Sequence, residues 1–345
     1  MGAGNVIDVA LAQCGSRRRA LGVVLLALGG TISVPGGARG ARLSGAEIIA
    51  AVPGLAELGI PLDVRDVRAV PSGSLTFAQV LDVVIVASRA VAEGADGVVV
   101  TQGTDTLEET AFLADLVWPH EAPFVLTGAM RQPAMAGADG PANVLAAVRV
   151  AMAREARGAG ALVVLNDEVH AARWVRKTHS TSTATFASPS AGPLGHVVEG
   201  RVRMLLAPPR HAPLSAGSDR ERLAAARVAL HVVTLDDDGT QLQGLETTHG
   251  GLVVAGFGVG HVPGVLAPRL GELAERMPVV LASRTGSGSV LRDTYSAPGS
   301  EQDLRQRGLI DGGFLDPYKA RVLLRLLLAA GAGPDDIAEA FALRG

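Results

Sequence analysis

Short apolar runs recur along the chain, and each ends abruptly at small or polar residues. Val23–Leu28 stops at Gly29, Gly30, Thr31 and Ile32. Val98–Val100 stops at Thr101, Gln102, Gly103, Thr104, Asp105 and Thr106. Pro123–Thr127 stops at Gly128, Ala129, Met130 and Arg131, and Ala161–Leu165 at Asn166, Asp167 and Glu168. Runs that are apolar on both faces read as strands of a sheet covered on both sides. Helical stretches lie between them. Ser44 and Glu47 form a capping-box pattern for a short helix ending before Pro53, and Thr76 and Gln79 form another for a helix that runs to Gly94. Good helix formers follow Leu107, and Pro141 opens a helix to about Arg157. Leu62–Val70 reads as one more strand, running into the polar turn Pro71–Ser74. This alternation predicts an α/β fold, with a mostly parallel sheet covered by helices in a larger N-terminal domain.

The pattern loosens after that. Ala172–Phe186 mixes Trp174, basic residues and many hydroxyls without a clean period, and reads as a loop or irregular strand. Val197–Leu206 reads as one or two strands. Ala207–Arg222, rich in Pro, Ser and Arg, reads as a linker. Strands return at Val228–Leu235, Leu252–Ala255 and Val279–Ala282. Asp316 and Pro317 open an apolar helix that stops at Gly331, and Pro334 opens the last one. The expected organisation is a flexible extension over 1–20, a catalytic α/β domain over 21–206, a linker over 207–222 and a smaller α/β domain over 223–345. No repeat or low-complexity tract interrupts it.

Composition narrows the function. With 345 residues, 48% of them hydrophobic, the chain can bury two cores. A net charge of −3 leaves no nucleic-acid footprint. A single cysteine, Cys14, excludes an internal disulfide framework and fits a reducing compartment. No apolar run reaches membrane-spanning length. Arg17–Arg19 followed by Ala20–Leu28 imitates a secretion signal, but cleavage there would cut beside the Gly29–Thr31 turn. A cytoplasmic protein is therefore expected. The 8 histidines are scattered without paired spacing, so no metal is expected. Gly256–His261 does not match the dinucleotide pattern, and no Gly-x-Ser-x-Gly elbow is present.

The strand ends carry the chemistry. Ligands of open α/β sheets sit beyond the carboxyl ends of the strands. Thr104 and Asp105 would lie there, a hydroxyl beside a carboxylate at a helix start. The plainer alternative is that Thr104 or Thr106 only caps the helix and Asp105 only complements its dipole. Thr31 supplies a second strand-end hydroxyl, on glycines that let the backbone approach a ligand closely. Lysine usage adds a third signal: of 31 basic residues only Lys177 and Lys319 are lysines. Arginine stays protonated, whereas a desolvated lysine can lose its proton. Lys177 in a polar loop suggests such a need; Lys319, on a helix, is expected to have no role. A Thr104–Lys177–Asp105 group could move protons if Lys177 is largely shielded from water. Backbone N–H groups of the Gly29–Thr31 and Gly103–Thr104 turns could stabilise an oxyanion. The reaction class is acyl transfer to water.

Gly29–Ile32, Thr101–Thr110, Gly128–Arg131, Ala138–Pro141, Asn166–Asp167 and, later, Leu315–Arg321 occur in an order that resembles the bacterial-type L-asparaginases and glutaminase-asparaginases. The resemblance runs from about Gly22 to the C-terminus. It implies hydrolysis of L-asparagine to L-aspartate and ammonia through an acyl-enzyme, with Thr31 as nucleophile and Thr104 and Lys177 activating and assisting. It implies that Asp105 holds the α-amino group, that Ser72 holds the α-carboxylate and that the main-chain carbonyl of Ala129 contacts the amide. It further implies a homotetramer of intimate dimers, with a small amino-acid amide as substrate and no cofactor. The chain departs from the family pattern in places. Leu28 stands where the motif opens with threonine, and Gly73 where glutamine is frequent. The segment Ser33–Leu43, where the family offers a lid tyrosine, has none; the chain's tyrosines are Tyr295 and Tyr318. His261 falls near a family position that reaches across a dimer interface. The alternatives are an amidohydrolase preferring glutamine or another amide, and a non-catalytic amino-acid sensor on the same scaffold.

Overall fold

In the computed structural model the described residues are 22–34, 42–215 and 219–345. The expected 1–20 extension, and residues 35–41 of the expected lid, lie outside them. Strands β1 (Val23–Ala27), β2 (Leu62–Asp66), β3 (Gly97–Thr101), β4 (Phe124–Thr127) and β5 (Ala161–Leu165) run parallel, in the spatial order β2-β1-β3-β4-β5. Helices α1 (Gly45–Ala50), α2 (Phe77–Ala92), α3 (Leu107–Val117) and α4 (Gly140–Met152) cover them on both sides. Alternation along β1 divides the cores. Val23, Leu25 and Ala27 pack with Ile48 of α1 and Val144 and Val148 of α4. Val24 and Leu26 pack with Val83 and Val84 of α2 and Ala111 and Ala114 of α3. Both predicted capping boxes form: Ser44 Oγ accepts from the Glu47 amide and Thr76 Oγ1 from that of Gln79.

One expectation needs correction here. The Leu62–Val70 strand ends at Asp66, because the chain then turns inward and the Val70 amide bonds to Leu28 O. Asn166 and Asp167 follow β5. Both adopt left-handed backbone (φ 53° and 59°) and make a tight hairpin, with Leu165 opposite Glu168. It opens a strand the apolar pattern did not reveal, β6 (Glu168–Ala171), which is antiparallel to β5. A small hairpin, β7 (Arg176–Lys177) and β8 (Phe186–Ala187), stands apart from the sheet. Strands β9 (Gly195–Val198) and β10 (Arg201–Met204) complete an eight-stranded sheet beyond β6.

The expected linker is not free chain. Arg210 pairs with Asp115 of α3 at 2.5 Å, and the Leu214 amide bonds to Leu116 O. Arg220–Arg222 already belong to helix α5 (Arg220–Ala225), capped by Asp219. The smaller domain has a four-stranded parallel sheet of β11 (Val228–Val232), β12 (Gly251–Gly256), β13 (Val279–Ser283) and β14 (Ile310–Asp311). Its helices are α6 (Ala267–Ala274), α7 (Glu301–Gln306), α8 (Pro317–Ala330) and α9 (Pro334–Arg344). Phe112, Leu113 and Leu116 of α3 share one core with Leu323, Leu324 and Leu327 of α8. Helix α3 is thus buried between the sheet of one domain and a helix of the other.

A buried carboxylate organises the turn before α7. Glu301, fully buried, accepts from the amides of Thr294 and Tyr295 at 2.8 and 2.5 Å and lies 3.0 Å from His261 Nε2. Burial would push the Glu301 carboxyl up, but the Tyr295 amide, its own amide, His261 and the Thr294 amide offset this, and the net shift is downward. A carboxyl with a lowered folded pKa contributes stability fully above its unfolded pKa and loses it as pH falls through the folded value. Glu301→Ala is therefore expected to cost about 2–4 kcal/mol at neutral pH, because two amides lose their acceptor. The gap to the parent should close as pH falls through the Glu301 titration. Chemical denaturation at a series of pH values tests this; a pH-independent gap would count against it.

Candidate active site

Three strand-end turns meet, two of them backbone to backbone and the third through the Ser72 side chain. Gly30 follows β1 with φ 95°, and a Cβ built on it would sit 2.3 Å from the Gly103 amide nitrogen after β3. A Cβ on Gly103 would in turn sit 2.8 Å from Ser72 Oγ, in the turn after β2. Only glycine allows both the backbone angle and the approach. Gly30→Ala is accordingly expected to cost about 1–3 kcal/mol in backbone strain alone, to separate Thr31 from Thr104, and to lower activity together with the melting midpoint. A variant of parental stability and rate would show that the turns need not touch.

Thr31 opens a single 3₁₀ turn, Thr31–Ser33, and is half-buried. Ser33 Oγ donates to Gly30 O at 2.8 Å, and the Leu43 amide donates to Ser33 O at 2.7 Å. The second bond closes the base of the expected lid segment directly on the Thr31 turn.

Thr104 and Thr106 do not cap α3: neither side chain bonds to the exposed amides of that helix start. Thr106 Oγ1 donates to Ser72 O at 3.0 Å, tying the β2 and β3 turns together. Thr104 is buried, and its Oγ1 accepts from Lys177 Nζ at 2.9 Å. The same ammonium donates to Asp105 Oδ1 at 2.7 Å. The Lys177 side chain is only 18% exposed, whereas that of Asp105 is 76% exposed. The lysine is thus shielded and aimed at the hydroxyl, while the carboxylate it pairs with faces outward.

The comparisons with known proteins show the family. Residues 22–210 match the family described as asparaginase, N-terminal, and residues 227–341 the glutaminase/asparaginase C-terminal domain. The chain belongs to the asparaginase family. It is 36% identical over 294 residues to a probable L-asparaginase of Deinococcus radiodurans, covering 84% of this chain and 88% of that protein. It is 33% identical over 316 residues to a glutaminase-asparaginase of Pseudomonas aeruginosa, covering 87% and 84%. A crystal structure of a probable cytoplasmic L-asparaginase from Campylobacter jejuni superposes with a TM-score of 0.82 at 33% identity, covering 93% of this chain and 99% of that one.

In this asparaginase fold the turn after β4 is built by residues that the apolar pattern did not single out. Asp139 accepts from the amides of Met130 and Arg131 at 3.0 and 2.9 Å. Asn143, buried at the start of α4, donates to Gly128 O at 3.0 Å and accepts from the Asn166 amide at 2.9 Å. Gly140 lies close against both Ile32 and Ala129. Asp139 lies within the Ala138–Pro141 motif; Asn143 carries no local signal. Gln102, also buried, braces the β3 turn by donating to Thr110 Oγ1 at 3.1 Å.

Lys319 corrects an expectation. It is fully buried, and its Nζ bonds to Val175 O and, at 3.0 Å, to Asp316 Oδ2. Glu108 of α3 accepts from the Lys177 amide at 2.6 Å. Burial pushes the Glu108 carboxyl above the ordinary glutamate range, opposed first by the Lys319 ammonium. His261 and Tyr295 contact each other edge to face, ring centroids 5.0 Å apart, over Glu301 rather than over the Thr31 turn.

Proposed function

We infer that this asparaginase-family enzyme hydrolyses the side-chain amide of L-asparagine, giving L-aspartate and ammonia. The observation that carries the reading is the ammonium of Lys177 held between Thr104 Oγ1 and Asp105 Oδ1, beside the glycine turn that presents Thr31. Thr31 Oγ attacks the amide carbon as its proton passes to Thr104 Oγ1 and the Thr104 proton passes to Lys177 Nζ, a step that uses the neutral amine form of the lysine. The C–N bond breaks as the leaving nitrogen takes a proton, and ammonia departs. Water then attacks the Thr31 ester, releasing the new carboxylate and restoring the hydroxyl. Backbone N–H groups of the Gly29–Thr31 and Gly103–Thr104 turns stabilise the oxyanion; one such donor is worth about 3–4 kcal/mol elsewhere. Asp105 holds the substrate ammonium, Ser72 its α-carboxylate, and the Ala129 carbonyl orients the amide.

The catalytic domain spans 21–206, joined through 207–222 to the domain over 223–345. The resemblance supports a homotetramer of intimate dimers. The single cysteine and the likeness to the probable cytoplasmic L-asparaginase of Campylobacter jejuni support a cytoplasmic location. Glutamine is the second reading, favoured by the glutaminase-asparaginase of Pseudomonas.

Ammonia release by the purified chain, with L-asparagine and L-glutamine side by side, is the test. Faster release from asparagine is expected. Faster release from glutamine would reverse the substrate order. Binding of asparagine without release from either would replace the enzyme with a sensor.

A further inference from the structure

Lys177 lies on a two-residue strand outside the main sheet, so its position depends on what grips the backbone around it. Two grips are present. Glu108 accepts from the Lys177 amide at 2.6 Å, and the Lys319 ammonium donates to the carbonyl of Val175. They come from different domains: Glu108 from α3, Lys319 and its partner Asp316 from the start of α8. Lys319 is fully buried, Glu108 is 8% exposed, and the Asp316 side chain is 9% exposed. Burying such charges is costly, and apolar residues would hold two helices together as well. Helices α3 and α8 already share an apolar core. The charges therefore need a directional reason to be there.

Lysine usage supplies one. The chain's only two lysines sit at the two ends of this contact set, where an arginine would otherwise be the default. A compact ammonium turns its three donors to a carbonyl and a carboxylate from a single atom, whereas a planar guanidinium spreads its donors over a fixed fork.

We propose that Lys319, with Glu108 and Asp316, positions Lys177: the second domain sets the geometry of the proton-handling lysine by clamping residues 175–177. This rests on the catalytic reading of Lys177 above. None of the three touches substrate. The catalytic domain alone would then carry all the reacting groups yet hold one of them loosely.

The test uses the full chain and the variants Glu108→Ala, Glu108→Gln, Lys319→Met and Lys177→Met. Cooperative thermal unfolding establishes that each is folded, and kcat and KM for L-asparagine are measured separately. Glu108→Ala and Lys319→Met are expected to lose about tenfold to hundredfold in kcat, the scale of a small misplacement of a reacting group. KM should stay within about threefold, as for an interaction made only in the transition state. Glu108→Gln, whose amide oxygen still accepts from the Lys177 amide, should restore most of the loss. Should Lys319→Met fail to fold, the Glu108 pair tests the α3 grip and Asp316→Asn tests the α8 grip. Asp316→Asn keeps a helix-capping oxygen but removes the carboxylate that pairs with Lys319, and parental kcat in that folded variant would overturn the α8 grip. A folded Glu108→Ala enzyme with parental kcat would overturn the proposal, and so would equal losses in Glu108→Gln and Glu108→Ala. If Lys177→Met itself keeps parental turnover, the catalytic reading falls and the clamp with it. If Lys177→Met is inactive while Glu108→Ala is normal, the clamp alone falls.

Discussion

Replacing Thr31 by alanine is expected to lower kcat for L-asparagine at least about a thousandfold, since no covalent intermediate can form without the nucleophile. The fold should survive. Thr31 is half-buried at a turn, and its loss should move the melting midpoint by no more than about 2 °C. Ser33 Oγ, two residues on, is buried and committed to Gly30 O and does not take over. Ammonia release and mass spectrometry of the quenched enzyme check this together. A variant that still turns over near the parental rate, or still gains an aspartyl adduct, would remove Thr31 from the role.

The second large effect concerns Lys177. Both Lys177→Met and Lys177→Arg are expected to lose about 10²–10⁴-fold in kcat, the usual worth of a positioned proton-transfer group. The arginine variant is the informative one. It keeps a positive charge near Asp105 but cannot give up its proton at any accessible pH. If Lys177 handles a proton, the two variants fall alike. If it serves only as a fixed cation for Thr104 and Asp105, Lys177→Arg should retain much of the rate, and a rate within about tenfold of the parent would assign that simpler role. Steady-state kinetics on the three proteins, at matched folded fraction, decides between them.

The parts of the fold that could be read in advance share one property: their causes are local. The apolar runs Val23–Leu28 and Ala161–Leu165 mark strands because burial on both faces demands apolar residues at every position. The capping boxes at Ser44 and Thr76 were legible because both partners lie within one turn. The Gly29–Gly30–Thr31 and Gly103–Thr104 turns stood out for the same reason. The strands that escaped notice, β6 and β14, have short or mixed patterns, and only pairing with a neighbour makes them strands. The docking of Arg210 onto Asp115 was likewise hidden, because the partners lie far apart in the chain.

The candidate site divides along the same line. Thr31, Ser72, Thr104, Asp105, Ala129 and Lys177 could be named from motif and composition. Asn143, Gln102 and Glu108 could not, because buried polar residues look ordinary until their partners are known.

By itself the amino-acid order determined the strand-turn-helix units, the glycines on which their turns depend, and the residue types able to do acyl transfer. Tertiary structure alone decided that the turns after β1, β2 and β3 touch and that Lys177 reaches Thr104 rather than solvent. It alone decided that Lys319, a helix lysine expected to have no role, is a buried ion bonded to the backbone two residues before Lys177. The physical reason is range. Propensity, capping and turn chemistry act within a few residues, whereas the direction of a buried hydrogen bond is set by backbones that only the packed domains bring together.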